Sequence, residues 1–433
     1  MDENKIPFFW TTMVSDQDRV LDASKYLNML CKFQPHRRTG SAGNRAATAF
    51  LIDTLRPWGY SIEASPFPCL DFFNSGSSLW ADGRSFEVLT GPYSPGCEVS
   101  AELEIVCTVT DLESSDCTGK LLLLHGEICA EQLMPKNFPF YNPDEHKRIY
   151  TLLERKRPLA VVTATGKNPE TAGAAYPFPL IEDGDFDIPS VYCTDIVGDQ
   201  IAAAGRERFT LDIAARRVPA TACNVIAAKS SGAAEKVVVS AHVDAKEGTP
   251  GALDNASGIV ILLLLAEMLA EYDGHLGIEF VAFNGEDHYS AGGEIDYLRR
   301  YGDELERISL AVNIDAAGYV RGKTAYSLYG CPEEIEQKAR TALTDQGEMI
   351  EGDPWYQGDH MVFAQKGVPA LAVTSERAVE LFRDITHTAK DNPELVDCAK
   401  LVAISRALKG LVGTFCQPSR EPDIGPGHQA RQS

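Results

Sequence analysis

Five residues of a single stretch, Lys236–Asp287, stand where elements should start or end and could do chemistry together: His242, Asp244, Asp254, Glu286 and Asp287. Imidazole and carboxylate together are the donors that a borderline divalent ion such as Zn²⁺ prefers, with positions left open for water and substrate. Their spacing matters as much as their type. His242 and Asp244 follow the β-branched run Val237–Val239, and Glu286 and Asp287 follow the apolar run Ile278–Phe283. Such short continuous runs read as buried parallel strands. Between them, Ala256–Ala270 is too long for a strand and too short to cross a membrane, so it reads as a helix, with Asp254 at its start. In open α/β sheets the ligand crevice lies outside the carboxyl ends of the strands. All five groups are therefore expected around one crevice.

Two later residues complete a metal-binding set. Asp315 ends the strand-like run ISLAVNI, and His387 lies in a loop before the last helix. Two metal ions that share one bridging carboxylate need six bonds from five side chains, and His242, Asp254, Asp287, Asp315 and His387 supply five. Asp254, at a helix start after a Gly/Pro-rich loop, is placed to reach both ions. Glu286 is then free to act as general base on a bridging water. Asp244, two residues past His242 on extended chain, points to the same side and is expected to accept the second imidazole N–H.

The ordered motifs HVD, GALDNASG, NGED, NID and HTAKD resemble the co-catalytic zinc aminopeptidase family that includes bacterial leucyl aminopeptidases and glutamate carboxypeptidase II. The resemblance extends to RRTGSAGNRAA near the start and GDHMVFAQKGVPALAV before His387, covering about residues 16–66 and 217–415. It implies a three-layer α/β/α zinc-peptidase core with a central mixed, mostly parallel sheet. It also implies two Zn²⁺ ions (or another divalent metal), one on His242, Asp254 and Asp315 and the other on Asp254, Asp287 and His387. Glu286 would be the base, and the Asp254–Asn255 peptide bond would be cis. Tyr356 is the candidate oxyanion donor, and His360 a candidate for substrate contact or outer support; His288 adjoins Asp287. One departure stands out: relatives carry Glu-Glu where this chain has Glu286–Asp287, so the shorter Asp287 must reach its ion differently.

Elements must position these groups. Helical spacing over Asp16–Phe33 and Arg45–Trp58, followed by a strand near Tyr60–Ala64, leads into the core. From Phe67 the periodicity fades into short β-rich pieces between turns, with helices expected at Asp144–Arg157 and Asp195–Ala204. The expected organisation is a catalytic domain over residues 1–66 and 217–416, an inserted β-rich domain over 67–216, and a polar, disordered tail over 417–433. The insert resembles the protease-associated domain found at this place in many relatives. Its lone His125 and His146 read as surface or packing groups.

Composition excludes other classes. The chain of 433 residues carries 40 basic against 62 acidic side chains, a net charge of −22. Neither nucleic acid nor an anionic membrane surface suits such a balance. The first residues lack a cationic start followed by an apolar run, and no stretch approaches the length of a membrane span. Eleven cysteines without a C-x-x-C pattern fit reduced thiols and a cytoplasmic location. No G-x-S-x-G elbow occurs, and AGYVRGKT, which loosely matches a phosphate loop, runs into strand-like TAYSLYG and reads as a hairpin turn. The expected function is a metallo-aminopeptidase acting on peptides. The alternatives are a carboxypeptidase or dipeptidase, a glutaminyl cyclase, or a non-catalytic binding member. A carboxypeptidase needs a cation for the terminal carboxylate, and Arg299, Arg321 and Arg377 are candidates.

Overall fold

The structure is a computed structural model that describes residues 14–32, 37–138, 142–166, 176–205, 207–288, 292–345 and 349–415. The polar tail over 417–433 lies outside these residues. Two eight-stranded sheets organise the chain.

In the first sheet the strands Gly277–Phe283, Lys236–His242, Ile308–Ile314 and Ala370–Ser375 lie side by side and parallel. Antiparallel strands flank them, Val225–Lys229 on one side and Thr324–Tyr329 on the other. The strand Lys236–His242 is buried along its whole length, as expected of a strand covered on both faces. Its alternate residues feed two separate cores. Val237, Val239 and Ala241 pack under the helices Asp16–Cys31, Ala42–Leu55, Ser257–Met268 and Cys398–Phe415, whereas Val238 packs with Tyr297, Val362 and Phe363 on the opposite face. This is a three-layer α/β/α arrangement with a mixed sheet.

The Ser257–Met268 helix explains the apolar run that marks it in sequence. Ile259 through Leu265 are all at most 1% exposed, sandwiched between the sheet and three further helices. A helix that is hydrophobic all round has to be buried, and each such side chain contributes about 1.5–3 kcal/mol on leaving water. Gly258 is required at its first turn: a Cβ there would meet Asn255 Oδ1 at 2.3 Å and Ile314 O at 2.7 Å.

The second sheet spans Pro66–Cys223, so it runs past the expected boundary at 216. Its centre is parallel, with Cys97–Val106, Leu121–Leu124, Ala160–Thr165 and Ser190–Thr194 in order. The helices Asp144–Lys156 and Asp195–Ala203 cover its two faces. Its base is a long antiparallel pair, Pro66–Ala81 with Arg208–Cys223, which the sequence conceals. Pro66, Pro68 and Gly76 interrupt the first of these strands. The prolines sit where it has a neighbour on one side only, the place a strand tolerates them. The final helix begins at Cys398, and a short helix, Ala378–Asp384, precedes the His387 loop. AGYVRGKT links two strands separated in the sheet by Ala370–Ser375, so it is a crossover loop and not a hairpin turn. Among the described residues no helix is long and apolar enough to cross a membrane, and ten cysteines are free.

Candidate active site

His242 is the last residue of its strand, Asp315 follows the end of the adjacent strand, and Asp287 lies four residues past the end of Gly277–Phe283. Asp254 lies in the buried turn Ala252–Ala256, and the Asp254–Asn255 peptide bond is cis. His387 holds a left-handed backbone, φ +59°, a conformation in which an L side chain costs about 1–2 kcal/mol.

These five groups meet. Asp254 divides its two oxygens between two imidazoles: Oδ1 lies 3.1 Å from His242 Nε2, and Oδ2 lies 3.1 Å from His387 Nε2. His242 Nε2 also faces Asp315 Oδ1 at 3.6 Å and Glu286 Oε2 at 3.9 Å, and His387 Nε2 faces Asp287 Oδ1 at 2.8 Å. Two ligands at about 2.0–2.1 Å on a tetrahedral ion stand roughly 3.3 Å apart, so these separations suit shared cations. Hydrogen bonding does not account for those at His242. Both nitrogens of His242, Asp287 Oδ2 and Asp315 Oδ1 are buried without a hydrogen-bond partner among the described residues. Orphaned buried polar atoms of this kind are costly unless an ion or water satisfies them. His242, Asp254 and Asp287 by themselves offer ligand atoms all within 4.8 Å of one another.

The charges point the same way. Although burial opposes it, the surrounding carboxylates hold His242 well above the ordinary histidine range, Glu286 foremost, and Asp287 leads the same effect at His387. Burial pushes the Glu286 carboxyl well up; His242 opposes this, and Asp315, Asp287 and Asp359 reinforce it. Four carboxylates (Asp254, Asp287, Asp315 and Glu286) thus share a buried space that is short of positive charge.

Asp244 lies behind this group, but not as the expected acceptor for His242. Its Oδ1 is 3.6 Å from His242 Nδ1, beyond a hydrogen bond. Its oxygens instead accept from Gly285 N (2.9 Å), Asp287 N (3.2 Å), Thr39 Oγ1 (3.2 Å) and His288 Nδ1 (2.8 Å). Asp244 therefore ties the loop carrying Glu286 and Asp287 to the strand carrying His242. The structure places both substrate-contact candidates, Tyr356 and His360, beside Tyr329. Tyr356 is 70% exposed and packs edge-on to Tyr329. His360 is fully buried between Trp355 and Tyr329, with Nε2 2.9 Å from Trp355 O. Burial pulls it down to about 4, so it is a neutral packing group at physiological pH. His125 pairs with Asp199, and His146 with Glu131, both away from this site.

Several residues that the motif argument did not single out do the positioning. Arg37 donates to Pro250 O and Gly251 O, bracing the loop that leads to Asp254. The Asp391 carboxylate accepts from Leu253 N (2.7 Å) and Asp254 N (3.1 Å), and Asn255 Nδ2 donates to Ile314 O (2.7 Å). The signal was present in sequence, because RRTGSAGN, GALDNASG and HTAKD carry these residues, but only their partners reveal the task. Asp359 lies likewise in GDHMVFAQKGVPALAV, whereas Glu294 lies in none of these motifs. Both are buried; burial lifts Glu294 to about 8, with Glu286 and Asp244 adding to it, and lifts Asp359 well above the carboxylate range, with Glu294 adding.

Glu294 makes a testable demand on the metal-free protein. Its folded value of about 8 lies above the ordinary 4.5. Between those limits the folded state keeps a proton that the unfolded chain releases, so stability falls as pH rises through that window. The loss is on the order of 3–5 kcal/mol at the upper end. Glu294→Gln is expected to flatten the decline, seen as a smaller difference in urea midpoint between pH 5 and pH 8. An unaltered decline would remove Glu294 as its source.

Residues 224–412 match the model of peptidase family M28, which embraces His242, Asp254, Asp287, Asp315 and His387. The chain carries a family M28 peptidase domain. Over 68% of its length the chain is 25% identical to the probable leucine aminopeptidase 2 of Aspergillus oryzae, and it spans 58% of that relative. Among solved structures, an aminopeptidase from Aneurinibacillus sp. strain AM-1 superposes with a TM-score of 0.72 at 22% identity, covering 97% of this chain and 100% of that one. A zinc aminopeptidase from Bacillus subtilis does so with a TM-score of 0.71 at 19% identity, covering 93% and 96%. At these identities the superpositions establish the fold. The M28 domain and the second sheet together share the architecture of both structures.

Proposed function

We propose that the M28 domain is a metallo-aminopeptidase that removes N-terminal residues from peptides. The observation that carries this reading is the division of the Asp254 carboxylate between His242 and His387, each with a further acid, Asp315 or Asp287, at the same ring nitrogen. One ion would be held by His242, Asp254 and Asp315 and a second by Asp254, Asp287 and His387. Zinc is the metal favoured by these donors, and the similar Bacillus subtilis protein is a zinc aminopeptidase. Four carboxylates against neutral imidazoles give −4, which two divalent ions balance. Asp287 reaches within 2.8 Å of His387 despite being shorter than glutamate, so the shorter side chain does not prevent a second site. Bound divalent ions would act as Lewis acids, lowering the pKa of a water and offsetting negative charge that develops on the scissile carbonyl oxygen.

The chain's own residues do the remainder. Glu286 stands 3.9 Å from His242 Nε2 at the edge of the cluster, with its side chain 19% exposed, so it reaches both the ligands and solvent. It takes the proton from the attacking water and returns it to the leaving amine. The carboxylates around it attract a substrate's N-terminal ammonium. The second sheet's domain is proposed to be a protease-associated-like wall to the crevice.

The test combines metal analysis of gently purified protein with a panel of peptides that are free or acetylated at the N-terminus. Two equivalents of divalent metal and turnover confined to free N-termini are expected. Absence of bound metal would return the chain to the non-catalytic reading. Cleavage of acetylated peptides from the C-terminus would make it a carboxypeptidase. Loss of ammonia from an N-terminal glutamine, without peptide cleavage, would make it a cyclase.

A further inference from the structure

The loop between His242 and Asp254 reaches out of the M28 domain. Lys246 Nζ lies 2.7 Å from Glu182 Oε1, and Glu182 belongs to the segment that follows strand Ala160–Thr165 of the second sheet. The neighbouring Glu247 pairs with Arg38, which also grips Asp71 and Phe72 O at the base of that sheet. One loop, with a metal-competent residue at each end, is thus ionically tied to the second domain at two adjacent positions.

Lys246 is placed differently from the other cations considered for substrate binding. Arg299 is bound to Asp296, and Arg321 and Arg377 are both bound to Glu380, all on exposed surface. Arg37 and Arg38 are buried and committed to backbone and acid partners. The Lys246 side chain is 24% exposed, and its ammonium has three donors, of which Glu182 engages one. The oxygens of Glu182 are both occupied, Oε1 by Lys246 and Oε2 by Gln132 Nε2 at 3.4 Å. The ammonium, not the acid, is therefore the group with capacity to spare. Burial works against the charge of Lys246, but Glu182, Asp287 and Glu286 together hold it ionised, which puts it within electrostatic reach of the catalytic acids.

We infer that Lys246, steadied by Glu182 from the second domain, is a specificity-determining residue that binds a substrate carboxylate close to the scissile bond. This rests on the aminopeptidase reading above. A crevice lined by acids in a chain of net charge −22 repels any anionic substrate. A lysine on the loop between the ligands offsets that repulsion locally. The carboxylate is either the C-terminus of a dipeptide, one residue beyond the cleaved bond, or the side chain of an acidic N-terminal residue. A charge-assisted contact of this kind distinguishes a charged group from its neutral isostere by about tenfold or more.

The experiment measures kcat/KM for Leu-Leu, Leu-Leu-amide and Asp-Leu-amide with the metal-loaded full chain, Lys246→Met and Glu182→Gln. The wild type is expected to prefer one carboxylate-bearing peptide over Leu-Leu-amide by about tenfold or more, chiefly through KM. Which peptide is preferred identifies the source. Lys246→Met should bring that ratio close to one, and Glu182→Gln should keep it. A ratio that survives in Lys246→Met overturns the assignment, including the case in which all three peptides lose rate together, the mark of a purely structural strut. Wild type that prefers neither carboxylate overturns it as well. Wild type that cleaves none of the three, free amines notwithstanding, counts against the aminopeptidase reading itself.

Discussion

Glu286→Gln is expected to lower kcat by about 10²–10⁴-fold, the usual worth of a positioned general base, while leaving metal content unchanged. The amide has nearly the volume of the acid and keeps an oxygen toward the cluster, so packing around the site should persist. It lacks a basic oxygen for the proton of the attacking water. The surroundings suit the acid to this task. Burial and the charges of Asp315, Asp287 and Asp359 raise its affinity for a proton, whereas an ordinary exposed glutamate is too weak a base near neutral pH. Because Glu286 adds like charge to a crowded group of acids, the substitution should not lower the melting temperature. Kinetics paired with metal analysis checks both points. Near-wild-type kcat in a metal-replete variant would move the base elsewhere, and Asp359 would be the first group to examine.

Stripping the metal is the second large effect. Chelation should abolish activity and lower the melting temperature by about 10 °C, with both restored by adding back Zn²⁺. The size follows from linkage. A ligand present at 1,000 times its dissociation constant stabilises the fold by about 4 kcal/mol, and in domains of 150–250 residues each kcal/mol moves the midpoint by about 2–4 °C. The stripped site leaves Asp254, Asp287 and Asp315 buried, with Glu286 half-buried beside them, around His242, whose ring nitrogens have no hydrogen-bond partner among the described residues. Calorimetry with and without chelator measures the shift. An unchanged midpoint together with unchanged turnover would show that these residues hold no metal needed for stability or chemistry.

Sequence patterning alone located the core elements and the groups they carry. Val237–Val239, Ile278–Phe283 and the apolar run after Asp254 are local signals, because burial on both faces of a sheet or around a helix is written into consecutive residues. The rule that ligands gather beyond the carboxyl ends of parallel strands then brings His242, Asp254, Glu286, Asp287, Asp315 and His387 to one crevice, and their side chains do meet there. The same reasoning missed the Pro66–Ala81 and Arg208–Cys223 pair, because its strands lie far apart in the chain and both contain proline, Pro66 and Pro68 in one and Pro219 in the other.

Which donor meets which acceptor was decided only by tertiary structure. Strand periodicity shows that Asp244 points to the same side as His242. It says nothing of the amides of Gly285 and Asp287 or the ring of His288, which arrive from the neighbouring strand's loop and take its oxygens. Nor does it show Asp391 holding the Asp254 turn, or Glu182 crossing from the second sheet to Lys246. A side chain's direction follows from its own few neighbours along the chain. Its partner is set by which distant segments the folded sheets bring within hydrogen-bond reach, about 3 Å.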